Sequence, residues 1–196
     1  MKQTSTKREH PQTNRQASQQ TTGSSQHAWD YYNAIAEGYD ALYGEEQESK
    51  LRFILKHVAL TPNDTLLDVG CGTGASFDLL PCRCRGVEPS TALMNRSIHR
   101  EAIIQGVAEQ LPFPDHAFDY VLALTMIHHA TNLHDALQEM ARVCKKMIII
   151  TVLKKSPKRN AIDTALRSEL VVERVLDQGV DLVYFCRPRR QTRAAL

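Results

Sequence analysis

The stretch LLDVGCGTG, residues 66–74, constrains this chain more than any other. A short apolar run ends in an acid, Asp68, and three alternating glycines follow at Gly70, Gly72 and Gly74. Such a run reads as a buried strand. The glycines read as a turn whose backbone can take left-handed dihedrals and let a ligand approach closely. A strand that enters a glycine turn and then a helix is a cradle for a nucleotide, so the remaining sequence has to supply a sheet around it.

The pattern downstream does alternate. Apolar runs predict strands near 65–69, 84–88, 102–107, 118–124 and 147–153, with a closing pair near 170–176 and 180–186. Helical spacing fills the intervals at 74–80, 90–99, 132–145 and 157–167. Alternation of this kind implies a parallel sheet covered on both faces. DQGVD, residues 177–181, reads as a hairpin turn and makes one strand near the C-terminus antiparallel. The expected fold is α/β, a Rossmann-like doubly wound sheet of seven strands. Upstream, Trp29, Tyr32, Ile35, Ala36 and Tyr39 recur at helical spacing. A second helix places Leu51, Ile54, Leu55 and Val58 on one face until LTPND, 60–64, breaks it.

A length of 196 residues suits one domain, and 42% hydrophobic residues suffice for a core. The longest near-apolar run, 147–153, is far short of the roughly 20 residues that span a bilayer, so no membrane partner is expected. No signal-like start is present. Five scattered cysteines, an odd count, argue against a disulfide framework and for a reducing cytoplasm. Charge is uneven: Lys2, Lys7, Arg8 and Arg15 against Glu9 give residues 1–29 a net +3, and four arginines give residues 187–196 a net +4. With +2 overall, residues 30–186 carry −5. The expected organisation is a disordered polar, basic tail over 1–27, a folded domain over 28–186 and a basic tail over 187–196. Solubility is the plain reading of the tails; contact with RNA is the sharper one.

The glycine turn alone does not choose its nucleotide. Gly70, Gly72 and Ala75 also satisfy the dinucleotide fingerprint G-x-G-x-x-G/A, and Glu88 follows about 20 residues on, where that fingerprint places a ribose-binding acid. Asp68 discriminates. A carboxylate at the strand end repels a pyrophosphate but attracts a ligand carrying an ammonium and a sulfonium.

With those residues in place, LLDVGCGTG resembles the first motif of class I S-adenosylmethionine-dependent methyltransferases. GVEPS (86–90) resembles the end of their second strand. GVAEQLPFPDHAFDYVLALTMIHHA (106–130) resembles the segment that runs through their fourth strand, and LHDALQEMARVCKKMIIIT (133–151) resembles the helix and fifth strand beyond it. YYNAIAEGYDALY (31–43) resembles the helix that precedes their core. The likeness runs over about 28–186, to a broad group that includes ubiquinone-biosynthesis-type and tRNA wobble-type enzymes. It implies S-adenosyl-L-methionine as the methyl donor, with Asp68, Gly70, Cys71, Gly72 and Gly74 around its methionine half and Glu88 on its ribose. The family often has Asp where this chain has Val107, so adenine recognition would lean on Ala108, assisted by Glu109. Leu111, Pro112 and Phe113 are candidate adenine walls, and Leu124 and Thr125 should face the methyl group. CKKM, 144–147, lacks the glycine-rich turn usual there.

Methyl transfer from a sulfonium mainly needs the acceptor atom held on axis at about 3 Å, with water excluded. A general base is optional. His128, His129 and Tyr39 are candidates for one, and Tyr31 and Tyr39 for contacts from the preceding helix. Cys82 and Cys84 have no matching pair nearby, so no metal site is expected. The acceptor is a small molecule or a tRNA nucleoside. The alternatives are an S-adenosylmethionine-binding scaffold or partner subunit without turnover, and an NAD-dependent oxidoreductase. In the resembling fold the strand at 101–108 lies at a sheet edge, where some such enzymes dock a small zinc-bearing activator. A short edge that needs no partner is the alternative.

These readings separate two deletions. Removal of 1–26 should leave the melting temperature and donor affinity unchanged, because no buried contact is lost. Removal of 1–43 should abolish methyl transfer and weaken donor binding. Calorimetry and a transfer assay on both truncations check this.

Overall fold

The computed structural model describes residues 31–189. The expected tail over 1–27 and most of the one after 187 lie outside those residues. Seven strands form one sheet: β1 (Thr65–Val69), β2 (Arg83–Glu88), β3 (Ile103–Gln105), β4 (Phe118–Ala123), β5 (Cys144–Leu153), β6 (Leu170–Asp177) and β7 (Asp181–Pro188). Their order is β3-β2-β1-β4-β5-β7-β6. The first five are parallel, and β7 lies antiparallel to both β5 and β6. Helices α1 (Tyr39–Leu55), α2 (Thr91–Arg96), α3 (Leu133–Val143) and α4 (Arg159–Glu169) cover the faces.

Strand alternation explains the two-sided burial. Leu67 and Val69 pack with Ala136, Leu137 and Met140 of α3 and Ile162 and Leu166 of α4. Leu66, one residue out of phase, packs with Leu122, Ile149 and Phe185 against Leu51 and Ile54 of α1. Each such side chain contributes about 1.5–3 kcal/mol on burial. Asp68 shares the parity of Leu66, so its side chain belongs to the face that α1 covers.

Local chemistry sets the boundaries. The helix expected over 74–80 is only a 3-10 turn, Ala75–Leu79. Leu80 precedes Pro81 and is extended (ψ 123°), a geometry the proline ring enforces on its neighbour. The helix expected over 90–99 stops at Arg96 because Ser97 is extended. Its start is capped by Ser90, whose hydroxyl accepts from the Leu93 amide. Asn132 caps α3 in the same way, accepting from His134 and Asp135. At the other end α3 passes into β5 at Cys144 with no loop, so β5 begins three residues earlier than the apolar pattern suggests. The edge strand is also shorter than the expected 101–108: β3 is three residues long. β7 continues through Pro188, two residues past its expected end.

One half-buried arginine fixes the loop between β3 and β4. Arg142 of α3 donates to the carbonyls of Leu111 and Phe113 and to the carboxylates of Asp115 and Glu139. Glu139 in turn accepts from the Leu111 amide. Arg142→Ala should therefore lower unfolding free energy by about 2 kcal/mol, the scale of charge-assisted bonds lost at partly buried carbonyls. Urea denaturation of the variant measures it.

Candidate functional site

The strand order turns back on itself between β1 and β4, and the crevice at such a switch point is where open α/β sheets bind ligands. The glycine turn sits there. Gly70, Gly72 and Gly74 have φ of 71°, 59° and 73°. A side chain is excluded at Gly70 for space as well, and would be crowded at Gly72. A Cβ on Gly70 would lie 2.8 Å from Cβ of Met126, and one on Gly72 would lie 3.1 Å from the Tyr39 ring. The amides of Gly70 and Cys71 both donate to the Val87 carbonyl, tying the turn to β2.

Two acids converge on this turn. Glu88 ends β2 and is 5% exposed. Its two oxygens accept from the amides of Gly72 (2.9 Å) and Ser90 (2.8 Å). Burial pushes its pKa up, and those amides pull it back. Asp68 is 3% exposed and accepts from the Ser76 hydroxyl at 2.6 Å. Burial pushes its carboxyl up to about 7; Ser76 opposes this and the charge of Glu88 adds to it.

The segment before the core closes the crevice. Residues 31–35 are helical, and a 3-10 turn, Ala36–Gly38, leads into α1. Asn33 accepts from the Ser90 hydroxyl, Asp40 from the Thr73 hydroxyl, and the Tyr32 hydroxyl lies 2.9 Å from Nε2 of His129. Beneath this cover are two cavities of about 300 and 440 Å³ that share Tyr39, Tyr43, Gln47, Gly70 and Leu124. The smaller reaches Asp68, Cys71, Thr73 and Ser76. The larger reaches Glu88, Ala108, Glu109, Thr125, His128 and His129.

Most of the expected site residues thus meet, with four adjustments. Tyr31 is half-exposed and places its hydroxyl on that of Tyr43; Tyr32 enters the cavity instead. Tyr32, Tyr39 and Tyr43 are seven and four residues apart, one face of a helix, a spacing visible in the sequence. Leu111 and Phe113, expected as adenine walls, belong to the core under α3, and Val87, Leu93, Val107 and Met126 wall the cavity. Glu109 spends one oxygen on the amides of Thr131 and Asn132. Gly72 and Gly74 lie behind the lining, where Gly72 serves Glu88.

The histidines are held neutral. Burial lowers His128 to about 4, with His129 adding to this and Asp181 opposing it. Its ring faces the Thr125 backbone, with neither nitrogen in hydrogen-bond geometry to a described residue. Burial and the Lys158 charge lower His129. Burial raises Tyr39 far above the ordinary phenol range. A neutral imidazole can accept a proton at this position, but a phenol so placed does not ionise.

Residues 67–150 match the protein family described as a methyltransferase domain. A sequence from Encephalitozoon cuniculi named as a methyltransferase is 38% identical over 90 residues, 43% of this chain and 42% of that protein. The phosphatidylethanolamine N-methyltransferase of Cereibacter sphaeroides is 31% identical over 119 residues, 55% of this chain and 58% of that protein. The chain spans about half the length of the curated relatives it matches. Among solved structures, the complex between the Haloferax volcanii Trm112 methyltransferase activator and a methyltransferase superposes with a TM-score of 0.69 at 17% identity, covering 83% of this chain and 97% of that one. Residues 67–150 therefore carry a methyltransferase domain, on the fold of solved S-adenosylmethionine-dependent methyltransferases. The description of the matched family names no acceptor.

A raised carboxyl pKa gives a signed expectation. Between the ordinary carboxylate range and about 7 the fold holds a proton on Asp68 that the unfolded chain has released, so this group destabilises the free protein progressively as pH rises through that window. Affinity for a cationic ligand should move the opposite way, rising as pH passes about 7 and Asp68 ionises. Titration calorimetry with S-adenosylmethionine across this window, against Asp68→Asn, isolates the effect from Glu88.

Proposed function

We propose that this chain is a methyltransferase that binds S-adenosylmethionine across both cavities and passes its methyl group in line to an acceptor held in the larger one. The observation that carries this reading is the convergence of Asp68 and Glu88 on one glycine turn, with the two cavities joined at Gly70 and Leu124. Each oxygen of Glu88 accepts one backbone amide and keeps a lone pair for a ribose hydroxyl. Val87, Leu93, Val107 and Met126 offer an apolar slot for a base. Asp68, in the smaller cavity, suits an ammonium. The residues present therefore fit the donor, which when bound supplies an electrophilic methyl on a sulfonium with a good leaving group. What remains for the chain is to exclude water, which Tyr32, Tyr39 and Tyr43 do, and to receive any proton the acceptor sheds. His128 is the neutral base at hand for that.

The acceptor is a small molecule or a tRNA nucleoside. Two features near the larger cavity favour the nucleoside: His129, which lines it, keeps part of its ring exposed, and Lys155, Lys158 and Arg159 are exposed cations following β5, with Lys158 bonded to the His128 carbonyl. The named relatives that act on a phospholipid headgroup or a quinone precursor support the small molecule. An activator at the β3 edge is the corresponding partner proposal. The edge strand is three residues long, Ile98 five residues before it is 85% exposed, and the Haloferax neighbour is a complex with an activator.

The deciding experiment incubates the protein, alone and with a candidate activator, with labelled S-adenosylmethionine and either total tRNA or a small-metabolite extract. Mass spectrometry should find label in one fraction and S-adenosylhomocysteine released. Donor binding without label in either would favour the scaffold reading. Glu88→Ala should weaken donor binding by about 10- to 100-fold, the scale of a charge-assisted pair lost. Unchanged affinity in a folded variant would place the ribose elsewhere.

A further inference from the structure

Directly behind the residues that join the two cavities lies a buried ionic node. Lys50 of α1 and Asp181 at the start of β7 are both fully buried, with Nζ 2.9 Å from Oδ2. The same ammonium lies 2.6 Å from Oε1 of Glu46 and donates to Oγ1 of Thr125 at 2.8 Å. Its three N–H groups therefore have three partners. Thr125 also places its hydroxyl 3.1 Å from Asp181 and donates its amide to the Thr151 hydroxyl of β5 at 2.7 Å. Four elements of the fold thus meet at one threonine.

That threonine is in an unfavourable conformation. Its φ is +54°, in the left-handed region, where a β-branched residue is rare and persists only if its surroundings over-determine it. Here they do. For stability alone, two apolar side chains of similar bulk would serve as well as a buried Lys–Asp pair. They could not hold the Thr125 hydroxyl. The flanking residues show what is at stake: Leu124 lines both cavities, and Met126 sits so close to Gly70 that a Cβ there would meet it at 2.8 Å.

We propose that Lys50 and Asp181 are a positioning pair: by both bonding the Thr125 hydroxyl they hold residue 125 in the left-handed backbone and so set how Leu124 and Met126 project toward Gly70 at the junction of the two cavities. The inference rests on the donor-binding reading only in taking that junction as the place where the methyl group lies.

The test separates positioning from mere support. Lys50→Met alone would strand the Asp181 charge, so the informative variant is the apolar pair Lys50→Met with Asp181→Leu. Its melting temperature should stay close to that of the unaltered protein. With [methyl-13C]-S-adenosylmethionine as probe, the bound methyl resonance should shift, and the dissociation constant should rise by about three- to tenfold, the scale of one hydrogen bond. Adding Thr125→Gly to that pair should bring the resonance back, because glycine takes a left-handed φ without support. A crystal structure of the pair variant should show residue 125 outside the left-handed region. An unshifted resonance, a shift that glycine does not reverse, or a residue 125 still left-handed would each overturn the proposal. Absence of any bound resonance in the unaltered protein would be a failure of the donor reading instead, and the crystal structure would then by itself decide the role of the pair.

Discussion

The carboxylate of Glu88 is the joint on which the candidate site depends. One oxygen takes the Gly72 amide and the other the Ser90 amide, so a single side chain binds the turn after β1 to the loop after β2. Both amides belong to backbone that has left its strand ladder and would otherwise lack a partner in a nearly closed space. The bond to Gly72 also explains why that residue is hidden behind the lining: it shapes the carboxylate that a ligand would meet. Ser90 then caps α2 with its hydroxyl, so the orientation of that helix follows from the same joint.

A second set of bonds attaches the cover to the sheet. Asn33 reaches Ser90, Asp40 reaches Thr73 and Tyr32 reaches His129. These partners stand after β2, within the glycine turn and after β4, which are the three corners of the crevice. Each bond is modest alone, about 0.5–1.5 kcal/mol, but together they register the cover against every part of the site. The tyrosines add edge-to-face contacts, with Tyr32 5.4 Å from His129 and 6.0 Å from Tyr39 between ring centres.

Much of this was legible in the chain. The seven strands and their mixed direction follow from apolar runs alternating with helical spacing, and from the DQGVD turn. Asp68 and Glu88 stand out as acids ending apolar strands. What was hidden depends on tertiary distance. Nothing local marks Lys50 as buried: it lies in the charged run EEQESK, which reads as a solvated face, and its partner Asp181 is 131 positions away. The shortening of the first crossover helix turns on Pro81, whose effect falls on the residue before it. Tyr31 and Tyr32 differ only in helical phase, and the 3-10 turn at Ala36–Gly38 alters that phase before α1 begins. Leu111 and Phe113 look like ligand walls in sequence because the arginine that pulls their carbonyls down is about thirty positions further on.

The three bonds of the cover have a kinetic meaning as well. On the proposed reading a molecule lying across both cavities is held in part by Asn33, Asp40 and Tyr32, whose bonds lie over the two cavities. Exchange then waits for the segment to detach as a unit, a local opening whose frequency is set by the summed strength of those bonds and not by the affinity of any single subsite. If the donor binds as proposed, spent and fresh donor would pass through the same opening, and the contacts of this segment would set the pace of repeated turnover.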